Sequence, residues 1–148
     1  MAAGDADACM AMAIGWSPKA NFGMNQLVTD NTRDKAALIE PVRMARVDDV
    51  IPPNKQVQFL KMDIEGAECN ALRGLRDLFA ARRVERLFVE VHPITLNALG
   101  CSVRTMGKLL GTLCMNVSHF EWDSTDGKDF LTVPADGDCQ VPARDQLP

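Results

Sequence analysis

The chain has 148 residues, of which 47% are hydrophobic and 24% are charged, and this balance is typical of one globular domain. The net charge is −4 and the basic residues are scattered, so no basic surface for nucleic acid is predicted. No run of residues approaches the ~18 uninterrupted apolar positions of a transmembrane helix. We therefore expect neither a nucleic-acid partner nor a membrane partner.

Five cysteines are spread along the chain without a C-x-x-C pair, and their number is odd. This pattern predicts reduced thiols, as in a cytoplasmic protein, rather than a disulfide framework. The two histidines, His92 and His119, stand far apart in the sequence, so a structural zinc site is not predicted. The expectation is a cytoplasmic protein without a metal site.

Residues 1–56 carry the least regular pattern. The apolar run from Ala8 to Trp16 predicts a buried strand, because acidic residues precede it where a signal peptide would have basic ones. A polar, Asn-rich loop then leads to a short predicted strand from Ala36 to Ile39, ahead of Pro41. The run from Val47 to Ile51 predicts a short element that ends at two prolines.

A clearer pattern begins at the apolar run from Val57 to Met62, which stops at Asp63 and predicts a parallel strand covered on both faces. Apolar residues then recur at helical spacing from Ala67 to Ala81, which predicts one helix of about four turns. A second buried strand, Leu87 to Val91, ends at His92 because a proline follows. Together these elements predict two adjacent parallel strands in an α/β fold.

The last elements predict a mixed sheet. An amphipathic helix from Val103 to Leu113 has Ser102 as its candidate N-cap. The runs Val117 to Trp122 and Phe130 to Val133 flank turn-forming residues, which predicts a C-terminal antiparallel hairpin. Residues 134–148 lack periodicity and are expected to form a flexible tail.

Candidate functional residues gather where the two parallel strands end. Ligands of such sheets bind at this edge, so Asp63 and His92 are expected to be neighbours, with Glu65 in the turn between strand and helix. His92 is either a general base or a side chain that hydrogen-bonds a carbonyl. Glu68 is explained by the helix dipole, and Glu90 either faces a polar cleft or is exposed.

The residues of this edge carry a family resemblance. FLKMDIEGAE at 59–68, followed by FVEVH at 88–92, resembles the signature of the FkbM methyltransferase family. Upstream, Val47-Asp48-Asp49 resembles an LDD element of that family, and Ala13-Ile14-Gly15 resembles the end of an earlier strand. The resemblance covers about residues 9–133. It implies a Rossmann-like class I methyltransferase sheet and methyl transfer from S-adenosylmethionine, usually to oxygen.

The same resemblance implies roles for individual residues. Asp63 and Glu65 would line the methionine or acceptor end of the site, with Asp63 contributing to cofactor binding, and His92 would be the base. The residues expected near the adenine are Ala13, Ile14 and Gly15. The acceptor implied is a small molecule or a carbohydrate-like compound.

One departure from the family pattern is large, because no G-x-G occurs among the ten isolated glycines. The resemblance therefore covers a domain truncated at its N-terminus, without the glycine-rich cofactor loop. One alternative is a non-catalytic, Rossmann-like interaction module. Another is a metal-dependent, exonuclease-like hydrolase, because Asp63 and Glu65 form a D-x-E pair, with His119 and Asp123 as its distal partners.

Overall fold

The computed structural model describes residues 1–14, 25–28, 38–122 and 128–148. The predicted features that lie outside these ranges are Gly15 with Trp16, most of the Asn-rich loop, the start of the strand predicted from Ala36, and the hairpin turn at 123–127. The elements in chain order are β1 Ala2–Gly4, β2 Ala8–Ile14, β3 Gln26–Leu27, β4 Leu38–Arg46, α1 Val47–Val50, β5 Leu60–Met62, α2 Glu68–Gly74, α3 Arg76–Ala80, β6 Leu87–Val91, α4 Pro93–Ala98, α5 Val103–Thr112, β7 Met115–Trp122, β8 Lys128–Pro134 and a short 3₁₀ helix Arg144–Gln146.

The strands form two four-stranded sheets. In the first sheet the order is β1-β4-β2-β3, where β1 is parallel to β4 and the other pairs are antiparallel. In the second sheet the order is β5-β6-β8-β7, where β5 and β6 are parallel and β8 is antiparallel to both of its neighbours. The predicted α/β class, the adjacent parallel strands and the C-terminal hairpin are confirmed. The single sheet implied by the resemblance differs from the two sheets observed.

Helix α2, which follows β5 of the second sheet, packs on β1 of the first sheet and so connects the two sheets. A Cβ atom on Gly74 would lie 1.8 Å from the carbonyl oxygen of Gly4, so only a glycine permits this approach. The last residues of β1 therefore lie directly against the helix that follows the candidate site.

The first sheet corrects two expectations. The run from Ala8 to Trp16 was predicted as a buried strand, but in β2 only Ala13 is fully buried and the other residues are partly or well exposed. Strand β4 is longer than the predicted segment from Ala36 to Ile39 and continues through Pro41. Only the last part of β4 pairs with β1. Pro41 has no N–H to donate, but it lies outside that paired part, so no hydrogen bond between β4 and β1 is lost there.

The core lies on one face of the second sheet. Alternate residues of β6 are buried under the helices, while Phe88 and Glu90 between them are partly exposed. The helical side of this core is formed by Leu72, Leu75, Leu78, Leu96, Met106, Leu109 and Leu110. Replacing one of these buried leucines by alanine is expected to cost about 2–5 kcal/mol.

The strand predicted from Val57 to Met62 is shorter and more exposed than expected. Of this run, only Leu60–Met62 pairs with β6, and Val57 makes an isolated bridge to Val84. Phe59 is 57% exposed and Lys61 is exposed as well, so the prediction of cover on both faces is wrong. Among the described residues the helices pack against one face of β6, and the opposite face of β5 and β6 carries Lys61 and Glu90.

The single helix predicted from Ala67 to Ala81 is wrong, because the chain breaks at Leu75 into α2 and α3. The carboxylate of Asp48 accepts hydrogen bonds from the backbone N–H groups of Asp77, at 2.8 Å, and Leu78, at 2.9 Å. These donors belong to the first turn of α3, so a distant residue supplies the cap that allows a second helix to start.

Helix α5 is capped as predicted, since the Ser102 hydroxyl oxygen accepts a hydrogen bond of 3.1 Å from the Thr105 N–H. Strands β7 and β8 pair in antiparallel fashion with an irregularity between Val117 and His119.

No helix in the described ranges is long and apolar enough to cross a membrane.

Residues 134–148, expected to be a flexible tail, are held against the domain by several polar contacts. Arg144 forms ion pairs with Asp48 at 2.7 Å and with Asp77 at 2.6 Å. Further contacts are the hydrogen bonds that Arg76 donates to the carbonyls of Val141 and Pro142, and those that Arg73 donates to Pro148. Arginine contacts to backbone carbonyls leave no periodic pattern, which explains why the sequence did not predict them.

The prediction of reduced thiols is wrong for two cysteine pairs. Cys69 is bonded to Cys101 and Cys114 is bonded to Cys139, while the exposed Cys9 is free. Disulfides are rare in a reducing compartment. The cytoplasmic location expected from the sequence rested on free thiols and stays a prediction without that support.

A thiol count tests this pairing. In denaturant without a reductant, the chain should react with Ellman's reagent at one thiol, that of Cys9, and at five after full reduction. The Cys139→Ser variant should show two thiols before reduction, because Cys114 loses its partner. Five reactive thiols in the unreduced wild type would contradict both disulfides.

Candidate functional site

The carboxyl ends of β5 and β6 bring acidic and imidazole side chains together. Met62 is paired with Val89, so the next residues along the two strands, Asp63 and Glu90, are adjacent. Asp63, Glu90 and His92 each offer one side-chain atom that could bind a metal, and these atoms lie within 4.8 Å of one another. The prediction that Asp63 and His92 are neighbours is confirmed, and Glu90 faces this group with a partly exposed side chain.

The imidazole of His92 lies between two carboxylates. Its Nδ1 atom is 3.8 Å from Oε2 of Glu65, and its Nε2 atom is 3.8 Å from Oε1 of Glu90. Both distances are too long for a hydrogen bond. Nδ1 is buried and has no hydrogen-bond partner, so the structural alternative, an imidazole nitrogen bonded to a carbonyl, is not found for that atom.

The turn between β5 and α2 is strained. Glu65 has a φ angle of 55°, in the left-handed region that side chains other than glycine rarely adopt. Gly66 has a φ angle of 106°, and a Cβ atom there would lie 2.6 Å from the backbone of Thr95 in α4. Strain of this kind collects at functional sites. Here the turn places the largely buried Glu65 beside His92.

Glu68 is the first residue of α2 and is fully buried. Its Oε1 atom accepts a hydrogen bond of 3.0 Å from the N–H of Gly66, while its Oε2 atom has no partner. Burial raises the pKa of Glu68 above its ordinary value, against the lowering effects of the backbone N–H groups and of His92. The helix-start position was predicted, but the burial was missed; its signal was the spacing of Glu68 ahead of the buried Ala71 and Leu72.

Negative charge is crowded at this edge. Burial raises the pKa of Glu65, and the nearby Asp63 and Glu90 carboxylates raise it further, whereas His92 lowers it. The Lys61 ammonium lies 3.0 Å from Asp63 and 3.8 Å from Glu90. This edge therefore attracts a positive charge.

The remaining predicted site residues are dispersed. Ala13 is buried and Ile14 is partly exposed in β2, which belongs to the other sheet, and Gly15 lies outside the described residues. His119 is exposed on β7, and Asp123 lies outside the described residues. A turn and helix α2, rather than another strand, follow the D-x-E pair, which argues against the exonuclease-like alternative.

Comparison with known proteins gives one match. A family model described as Methyltransferase FkbM domain matches residues 1–124. No curated protein and no solved structure gives a significant match.

Replacing Gly66 tests whether the strained turn is required. Gly66→Ala should destabilise the protein by about 1–3 kcal/mol, because it combines a positive φ with a clash against α4. The matched control is Gly107→Ala in helix α5, where an added Cβ atom would meet no other atom within 4 Å. This substitution should stabilise the protein by about 0.5–1 kcal/mol, because alanine favours a helix more than glycine does. Urea unfolding measures both changes. Equal effects of the two substitutions would contradict the strained turn.

Glu68 predicts a dependence of stability on pH. Its folded-state pKa is raised, so the folded state binds the proton more tightly than the unfolded state, and stability falls as pH rises above the ordinary value of 4.5. Glu68→Gln removes this loss. The variant should therefore gain stability over the wild type at about pH 8 and lose that advantage near about pH 4.5.

Urea unfolding at both pH values measures the difference. The control is Glu85→Gln, which changes an exposed carboxylate and should give no pH-dependent gain. A Glu68→Gln effect of the same size at both pH values would show that the carboxyl does not titrate with folding.

Proposed function

The chain belongs to the FkbM methyltransferase domain family, and on that premise we propose that it transfers a methyl group from S-adenosylmethionine to an acceptor oxygen. The observation that carries this proposal is the convergence of Asp63, Glu65 and His92 at the carboxyl edge of two parallel strands. In α/β sheets this is the edge at which ligands bind. The acceptor is a small molecule or a carbohydrate-like compound.

In this proposal β5, β6, β8 and β7 correspond to the later strands of a Rossmann-like sheet. One feature supports it: the parallel β5 and β6 pair is followed by an antiparallel pair. Sheets with parallel strands usually carry helices on both faces. In the part of the chain that the structure describes, β6 departs from this pattern, because Phe88 and Glu90 on its second face are partly exposed.

The residues at this edge fit one part of the cofactor. When bound, S-adenosylmethionine supplies an activated methyl group on a positively charged sulfur. The carboxylates of Asp63, Glu65 and Glu90 complement that charge and the charge of the amino group of the methionine portion. The cofactor carboxylate and ribose need other partners, and the described residues of this edge include no glycine-rich turn that could bind them.

The chemistry left to the protein is alignment of the acceptor and removal of its proton. We assign the proton to Nε2 of His92, with the Glu65 carboxylate, 3.8 Å from Nδ1, stabilising the imidazolium that forms. Asp63 lines the methionine or acceptor end. Glu68 has a positioning role, because its hydrogen bond to Gly66 holds the turn that presents Glu65.

A second candidate is a non-catalytic interaction module. It is favoured by the ion pair between Lys61 and Asp63, which already gives the edge a positive partner, and by the absence of the G-x-G motif. The two candidates differ in one property, namely whether S-adenosylmethionine binds at this edge.

The two histidines of the chain allow a direct test by nuclear magnetic resonance. On titration with S-adenosylmethionine, the ring protons of His92 should shift, while those of His119 on β7 should stay as an internal control. Asp63→Asn should reduce the His92 shift, and Glu85→Gln should leave it unchanged. Because the glycine-rich loop is missing, we expect the affinity to be weak, about millimolar.

Two results would contradict the proposed mode of cofactor binding. Unchanged His92 signals up to the solubility limit of the cofactor would favour the interaction module. Micromolar binding by calorimetry would show that the chain holds the cofactor without the glycine-rich loop, and the proposed reason for weak affinity would fail.

A further inference from the structure

We propose that Asp63, Glu90 and His92 bind one divalent transition-metal cation per chain. Their three candidate ligand atoms lie within 4.8 Å of one another. Two carboxylate oxygens with one imidazole nitrogen form a mixed donor set, which suits Mn²⁺, Fe²⁺ or Zn²⁺ better than the oxygen-binding Ca²⁺ or Mg²⁺.

Strand pairing holds these ligands on one side of the sheet. Asp63 follows the register pair Met62 and Val89, which puts it beside Glu90, and His92 comes two residues after Glu90, immediately past the end of β6. Bonds of about 2.1 Å to one ion allow ligand atoms to lie up to about 4.2 Å apart. Small side-chain rotations therefore suffice to close the observed group around an ion.

The other ring nitrogen of His92 gives a second, independent observation. Histidines that bind a metal usually donate their remaining N–H to a carboxylate, which fixes the ring. Here Nδ1 is buried, has no hydrogen-bond partner and faces the Glu65 carboxylate at 3.8 Å. The ring is therefore oriented with Nε2 toward Glu90 and Nδ1 toward an outer carboxylate, which is the usual orientation of a metal-binding histidine.

The local charge also matches a divalent ion. The carboxylates of Asp63, Glu65 and Glu90 and the ammonium of Lys61 leave two negative charges when His92 is neutral. Lys61 is the group that competes with the ion, because it lies 3.0 Å from Asp63. Its side chain is 54% exposed, so it can turn into solvent when the ion binds.

This inference deepens the proposed function and rests on it only for its catalytic consequence. An ion with open coordination positions would bind an acceptor hydroxyl and lower its pKa, so that its proton would be released to water. A ring nitrogen that coordinates the ion cannot accept a proton, so the ion would take over the role assigned above to Nε2 of His92. The acceptor is then a compound that presents a hydroxyl oxygen to the ion.

Titration with Mn²⁺, followed by the electron paramagnetic resonance signal of the free ion, tests the site without cofactor or acceptor. The wild type should bind one Mn²⁺ per chain. Glu90→Gln and His92→Gln should abolish this binding, and Glu65→Gln should weaken it about tenfold or more, as loss of an outer partner does. Lys61→Gln should tighten it, because the competing ammonium is gone.

The matched control is Glu85→Gln, an exposed carboxylate at the other end of β6 that should leave Mn²⁺ binding unchanged. The site is overturned if the wild type shows no saturable binding, if binding survives both Glu90→Gln and His92→Gln, or if Glu85→Gln weakens it equally. Because the titration contains no S-adenosylmethionine, its failure is separate from failure of cofactor binding in the histidine experiment.

Discussion

The close contact between Gly66 and helix α4 is the constraint on which the candidate site depends. No side chain fits between the turn and the backbone of Thr95, so the turn after β5 and the helix after β6 are held at a fixed separation. The turn presents Glu65 to His92, and the residue that precedes α4 is His92 itself. A small change in this packing would therefore separate the two groups that the proposed chemistry needs together.

Burial adds a second constraint to this contact. The buried Glu68 carboxyl accepts a hydrogen bond from the Gly66 N–H, so a group whose charged form is destabilised by burial holds the turn. The site thus combines strain at Glu65 with a buried acid at Glu68, and both are held in place by the core beneath β6.

The sequence predicted what depends on local pattern and missed what depends on distant partners. The parallel pairing of β5 and β6 followed from two apolar runs joined by a helical segment, and the Ser102 cap followed from adjacent residues. The break at Leu75 was missed because its cap, Asp48, comes from another element. The group at Asp63 and His92 was predicted from strand ends, whereas the contribution of Glu90 required the register of the sheet.

The two disulfides have a consequence for the covalent topology of the chain. Four cysteines can pair in three ways, and the pairs Cys69–Cys101 and Cys114–Cys139 close two loops that follow one another without overlap. Their ends are 32 and 25 residues apart, so each bond closes a short loop at a smaller entropic cost than an interlocked pairing. Either bond can therefore form while the other segment is still unfolded, and neither loop has to thread through the other.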